Sequence, residues 1–126
     1  MRLLLDTAVL IYAVESPDQL TRRARAALEK SANILEFSAV SLSEIATKAR
    51  LGKLALSAAL TRQAVEDLDL RILPYTADHA FTLFDLPLHH RDPFDRQIIA
   101  QALTEQIAVV TPDEKFRLYQ GLKIIW

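Results

Sequence analysis

His90-Arg91-Asp92-Pro93-Phe94-Asp95-Arg96-Gln97-Ile98-Ile99-Ala100-Gln101-Ala102 continues, through Leu103–Gln106, into Ile107-Ala108-Val109-Val110-Thr111-Pro112-Asp113-Glu114. The stretch reads as one helix feeding one strand. Pro93 suits the first helical position, where the amide it lacks would have no partner anyway. Asp92 is then the N-cap, a role aspartate fills well, and Asp95 falls at N3. The pattern predicts a helix over Pro93–Glu105 and a buried strand over Ile107–Val110. Helix and strand run antiparallel, so the helix begins at the edge where the strand ends. With Asp92 supplying the cap, Asp95 is left for another task.

The same alternation extends along the rest of the chain. Leu3–Leu5 is a short buried strand, followed by Asp6 and a helix over Ala8–Val14 that Pro17 and Asp18 break. A second helix spans Leu20–Lys30, with Leu20, Ala24, Ala27 and Leu28 on one face. Ile34–Phe37 is a strand, and Ser41–Leu51 a helix closed by Gly52 as its C′ glycine. Ser57–Asp69 is helical, Leu70–Leu73 a strand before Pro74, and Ala77–Phe84 a helix. After the quoted stretch come a helix over Pro112–Tyr119, capped by Thr111, and a final edge strand over Lys123–Ile125. Short strands joined by helices predict an α/β fold: a single three-layer domain over residues 1–126, its mainly parallel central sheet flanked by helices. Such sheets bind ligands beyond the carboxyl ends of their strands.

Composition narrows the function. The 126 residues are 51% hydrophobic and 25% charged, as in an ordinary globular domain. The absence of cysteine excludes a disulfide framework, a thiolate zinc site and a cysteine nucleophile. No apolar run approaches the roughly 20 residues of a membrane span. The opening Met1-Arg2-Leu3-Leu4-Leu5-Asp6 is interrupted too soon for a signal peptide, so a cytoplasmic protein is expected. The net charge of −1 provides no basic surplus. Affinity for nucleic acid would have to come from local basic residues or bound metal.

Four acids stand where helices are expected to begin: Asp6, Glu44, Asp95 and Asp113. Each alone is explained by capping at least as well as by catalysis. Ser41-Leu42-Ser43-Glu44 has the form of a capping box, and Thr111-Pro112-Asp113-Glu114 repeats that form with Asp113 at N2. Together they say more, because the topology aims all four at one rim. Clustered carboxylates resist ionisation unless a cation neutralises them. Hard oxygen ligands suit magnesium or manganese, and helix N-termini attract phosphate. The residues therefore point to a metal-dependent enzyme acting on a phosphate ester. Arg96 could reach a phosphate or a neighbouring carboxylate, or make a surface ion pair. His89 and His90 read as ordinary loop histidines, and His79, inside a helix, is less suggestive still.

Leu4-Leu5-Asp6-Thr7, Ser41-Leu42-Ser43-Glu44-Ile45, Leu51-Gly52-Lys53-Leu54, His90 to Ala102, Val110 to Phe116 and Lys123-Ile124-Ile125-Trp126 carry a resemblance. Together they resemble the PIN-domain family, and within it the VapC-like toxins of prokaryotic toxin–antitoxin pairs. The resemblance implies a PIN-like domain and a Mg2+- or Mn2+-dependent endoribonuclease. Asp6, Glu44, Asp95 and Asp113 would be both its metal ligands and its catalytic residues, with Asp92 left to the cap. It further implies an RNA substrate, a cognate antitoxin protein and a homodimer. Ser43 departs from relatives that carry a bulky aromatic there, which bears on local packing. The helix Ala8–Val14, apolar nearly all round, must be covered by the core, by an antitoxin helix in a groove, or by a second subunit.

Other functions fit less well. A haloacid-dehalogenase-type phosphatase needs an acid two residues after its first Asp, where this chain has Ala8. A receiver domain needs an Asp ending a middle strand, and none ends Leu70–Leu73. The alternative that stays open is a catalytically inactive PIN-like module that binds RNA or protein and whose acids only cap helices.

Overall fold

Leu3, Leu4 and Leu5 are all fully buried, as only a strand covered on both faces can be. In the computed structural model, which describes residues 1–126, they form the centre of a five-stranded sheet. Its strands are β1 (Arg2–Leu5), β2 (Ile34–Ser38), β3 (Arg71–Leu73), β4 (Ala108–Val110) and β5 (Ile124–Ile125). Their order is β3-β2-β1-β4-β5, and every neighbouring pair is parallel. The expected α/β architecture is present, with β5 at an edge.

Alternate residues of each strand face opposite layers. Leu3, Leu5, Leu35, Phe37, Ala108 and Val110 share one core with side chains of α1 (Thr7–Glu15), α2 (Arg22–Glu29), α3 (Ala39–Arg50) and α4 (Ala58–Asp67). Leu4, Val109 and Ile124 share the other with Ile98, Ile99 and Ala102 of α6 (Pro93–Glu105). The short α5 (Ala77–Thr82) lies against α6 on that side. No helix is long and apolar enough to cross a membrane.

Two expected helix starts are corrected. The box proposed at Ser41 and Glu44 does not begin α3. The chain enters α3 directly from β2, and Ser38 Oγ accepts the Val40 amide at 2.9 Å. A capping oxygen three residues earlier moves Ser41 into the first turn and Glu44 into the second. Nor does Thr111 cap a helix. Asp113 itself accepts the Lys115 amide at 2.9 Å and opens a 3-10 turn, Glu114–Leu118, where an α-helix over Pro112–Tyr119 was expected. The helix expected over Leu20–Lys30 is shorter, because Thr21 caps it and Pro17–Gln19 forms a separate 3-10 turn. The end of α3 matches its reading. Gly52 has φ +73°, its amide donates to Ala49 and that of Lys53 to Lys48, the paired bonds of a Schellman motif.

One charged residue lies inside the sheet. Glu36 on β2 is only 7% exposed, and Arg2 holds it with a two-pronged bond, Nε to Oε2 at 2.9 Å and Nη2 to Oε1 at 3.0 Å. The same Nη2 reaches Glu105 Oε1 at 3.1 Å. Glu105 Oε2 lies 3.1 Å from Nε2 of His79, whose Nδ1 accepts the Thr76 amide. The buried His79 thus joins α5 and α6 to the sheet. Arg2→Met would strand the Glu36 carboxylate and should lower stability by about 2 kcal/mol. Arg2→Met/Glu36→Leu should recover much of that loss, which urea denaturation of the three proteins would show.

Candidate active site

β1 and β4 are neighbours in the sheet, yet the chain leaves them in different directions. From β1 it passes through α1 and α2 to β2, and β4 is reached only after α5 and α6 on the other face. The crevice beyond their carboxyl ends is a topological switch point, the usual binding position of an open parallel sheet. Asp6 follows β1 directly, and Thr111 follows β4. The Asp6 amide donates to the Val110 carbonyl at 3.0 Å. Thr111 Oγ1 donates to Asp6 Oδ2 at 2.7 Å and accepts the Asp113 amide at 3.0 Å.

Asp6 occupies the N-cap position of α1, but its side chain makes no capping bond. It is 5% exposed. Burial pushes its carboxyl up to about 6, with repulsion from Glu44 and Asp113 adding to the rise while bonds from Thr111 and the Thr7 amide oppose it.

Glu44, from the second turn of α3, is drawn in by the residue after Asp6. Thr7 Oγ1 lies 2.7 Å from Glu44 Oε1 and 2.8 Å from Ser41 Oγ. A carboxylate only accepts, so Thr7 donates to Glu44 and accepts from Ser41. The other oxygen, Oε2, pairs with Lys48 Nζ at 2.5 Å, one helical turn on. That bond raises the lysine, which the charges of Asp92 and Asp95 also favour.

α6 begins as its sequence predicts. Asp92 accepts the amides of Phe94 and Asp95 at 2.9 and 3.1 Å, which leaves the Asp95 side chain uninvolved in capping. Burial pushes the Asp95 carboxyl up to about 8, and the negative charges of Asp6, Asp92, Asp113 and Glu44 add to that. His90 Nε2 stands 3.3 Å from its Oδ2.

All four predicted acids thus reach one rim, close enough to perturb one another. They do not form a closed cage. No three His, Cys, Asp or Glu side chains surround a common point at metal-ligand range. The reason is electrostatic. Carboxylates repel, and each turns to a separate partner: Asp6 to Thr111, Glu44 to Thr7 and Lys48, Asp95 to His90, Asp113 to the Lys115 amide. A cavity of about 580 Å³ lies elsewhere, lined by Met1, Arg2, Glu105 and Lys123 among others. Its one carboxylate is already paired with Arg2 and His79, so the acidic rim is the stronger chemical candidate.

Arg96 was read as reaching a phosphate or a neighbouring carboxylate, or as making a surface ion pair; within the chain it contacts no carboxylate. Its guanidinium donates to the carbonyls of Pro87 and Leu86 and to Tyr119 Oη, fastening the loop before α6. Several residues at the site carried no expectation of a role there: Thr7, Lys48 and Tyr119, with Ser41 and Thr111 read only as helix caps. His90 was read as an ordinary loop residue, yet its ring packs against Asp95 and Tyr119. Lys48 was the most visible of them, four residues beyond Glu44 on one helix face.

The raised carboxyls have a consequence for stability. Between the unfolded aspartate value of about 4 and their folded values near 6 and 8, the folded chain holds more protons than the unfolded chain. The stability from these groups is therefore greatest at acid pH and is lost as pH rises through that window. The metal-free melting temperature should fall between pH 5 and 8, and Mn2+ should flatten the fall by binding only the folded acids. Asp95→Asn, which keeps an acceptor for His90, should melt at or above the wild-type temperature at pH 8 and lose most of the Mn2+ shift. Calorimetric melts across that pH range test all three outcomes.

The fold has close counterparts. VapBC2 of Rickettsia felis, bound to a DNA fragment from its promoter, contains a chain that superposes with a TM-score of 0.77 at 20% identity, over 98% of this chain and 97% of that one. A DNA-bound VapBC of Salmonella typhimurium gives 0.67 at 19% identity over 98% and 96% of the two chains. VapBC-1 of nontypeable Haemophilus influenzae gives 0.68 at 16% over the same shares. No curated protein is similar enough to count as a match. The PIN domain family matches residues 3–122, a span that takes in all four acids, β2, β3, β4 and all of β1 but Arg2: this chain belongs to the PIN domain family.

Proposed function

We propose that the chain is a Mg2+- or Mn2+-dependent endoribonuclease, the toxin of a toxin–antitoxin pair, hydrolysing RNA phosphodiester bonds in the cytoplasm. One observation carries the reading: Asp6, Glu44, Asp95 and Asp113 meet at the switch point between β1 and β4. Three of these side chains, those of Asp6, Glu44 and Asp95, cap nothing. Capping, which explained each acid in isolation, does not explain why buried carboxylates gather there.

The donor set fits a hard divalent ion. Magnesium takes one or two carboxylates and keeps several waters, which suits an open rim without a three-carboxylate cage. Asp6 and Asp95, desolvated and mutually repelled, gain most from a cation, with Glu44 and Asp113 completing the set. When bound, such an ion supplies an activated water for in-line attack and neutralises the leaving oxygen. The N-termini of α1, α3 and α6 favour an RNA phosphate at the same edge. Lys48 neutralises part of the acidic field that would otherwise repel that phosphate.

Partner surfaces are consistent with this role. A groove of about 290 Å³ runs between α1 and α4, lined by Ala13, Val14, Leu60, Ala64 and Leu68. Val14 and Leu60 are exposed there, an apolar trough of the kind that accepts an amphipathic helix. We assign it to a cognate antitoxin, in keeping with the toxin–antitoxin complexes in which the similar folds occur. Phe81 and Phe84, stacked with centroids 6.1 Å apart and both exposed, are assigned to a homodimer contact.

The competing reading, a non-catalytic module, is favoured by Asp92 and Asp113, which do cap. Cleavage assays separate the two. With Mg2+ or Mn2+ the wild type should cut RNA and leave 5′-phosphate ends, because water rather than a 2′-hydroxyl is the nucleophile. Asp6→Asn and Asp95→Asn should each lower the rate by about 100-fold or more, the scale of losing a key electrostatic group. Activity surviving both changes, or products ending mainly in 2′,3′-cyclic phosphate, would defeat the proposal.

A further inference from the structure

A directed chain of hydrogen bonds runs behind the acidic rim. Arg96 Nη1 lies 3.1 Å from Tyr119 Oη, which lies 2.7 Å from His90 Nδ1, and His90 Nε2 lies 3.3 Å from Asp95 Oδ2. The His90 side chain is 8% exposed and Tyr119 2%, so water does not compete freely for these bonds. The direction of donation follows from the two ends together. A guanidinium has donors only, so Tyr119 oxygen accepts from Arg96. An ionised Asp95 carboxylate only accepts, so His90 Nε2 donates to it and Tyr119 gives its own hydrogen to His90 Nδ1. Nδ1 is then the bare acceptor nitrogen, and the imidazole hydrogen sits on Nε2, facing the carboxylate. Every member donates toward Asp95. The chain is anchored at its far end, where Arg96 also holds the Leu86 and Pro87 carbonyls at 3.1 and 2.7 Å.

We infer that His90 is a positioning residue for Asp95, its tautomer set by Tyr119 and Arg96, so that Oδ2 is pinned and Oδ1 is presented to a divalent cation. The inference rests on the acidic rim being a metal site. The arrangement matches a general property of metal centres, in which partners behind the ligands set their orientation and typically change affinity by about 10–100-fold. It also gives tasks to three residues that bind no ion themselves. Arg96 becomes the anchor of the series. His89 packs edge-on against Tyr119 with centroids 4.9 Å apart and buttresses the same ring.

Two measurements test this, one of them without metal. Long-range proton–nitrogen NMR of the metal-free protein at pH 9.5, where the Asp95 carboxyl is ionised, should show His90 with its hydrogen on Nε2 and Nδ1 unprotonated, and Tyr119→Phe should weaken that preference. Mn2+ titration calorimetry should then show no binding by Asp95→Asn and binding about 10–100-fold weaker for His90→Ala. His90→Gln, whose amide can donate from nearly the position of Nε2, should recover most of that affinity. A hydrogen found on Nδ1 would overturn the inference. So would His90→Ala and His90→Gln that bind Mn2+ as tightly as the wild type, with only their metal-free melting temperatures lowered: His90 would then be packing alone. A wild type that shows the Nε2 tautomer but binds no Mn2+ would overturn the metal reading of the rim, and this inference with it.

Discussion

Carboxylates brought together out of water repel one another, and this fold holds several of them at a single place. Asp6 and Asp95 are both driven toward the protonated form, by burial first and by their neighbours second. The site persists because each acid has a partner that partly offsets its isolation, a threonine hydroxyl, a lysine, a histidine or a backbone amide. None of those partners is an arginine. What results is a rim that is still short of positive charge, a condition that structural ion pairs avoid and functional sites often keep.

The Arg2 network shows the contrast within the same molecule. Glu36 is buried about as deeply as Asp6, yet a guanidinium holds both of its oxygens. Glu105 is held below the usual glutamate range by His79 and Arg2. There each carboxylate oxygen has its own donor and none is left for a ligand. At the switch point the acids lie unmatched. Identical side-chain chemistry is thus paired off in one region of the fold and left short of positive charge in another, and the neighbours decide which.

Much of this was legible along the chain. Asp92-Pro93 announces the start of α6 through local rules of capping and proline geometry, and Gly52 announces the end of α3 through its left-handed backbone. The fully buried Leu3–Leu5 reads as a strand because nothing polar interrupts it. The start of α3 was misread because Ser38 and Ser41 both make good caps. Only the continuation of β2 to Ser38 selects between them. The 3-10 turn after Pro112 was misread for a similar reason, since Thr111 and Asp113 both make good caps and it is Asp113 that accepts the Lys115 amide.

The order of residues alone determined the alternation of strands and helices, the placement of the four acids at or near helix starts, and the family resemblance. Those are short-range properties, set by hydrophobic spacing and by hydrogen bonds within one turn. Tertiary structure decided what each acid touches. Thr7 on Glu44, Thr111 on Asp6, and the Tyr119–His90 series behind Asp95 join segments that meet only once the sheet is assembled, with β1 between β2 and β4. A hydroxyl or an imidazole carries no mark of its eventual partner. The contact exists only once packing has fixed the distance between two elements, and the fold alone sets that distance.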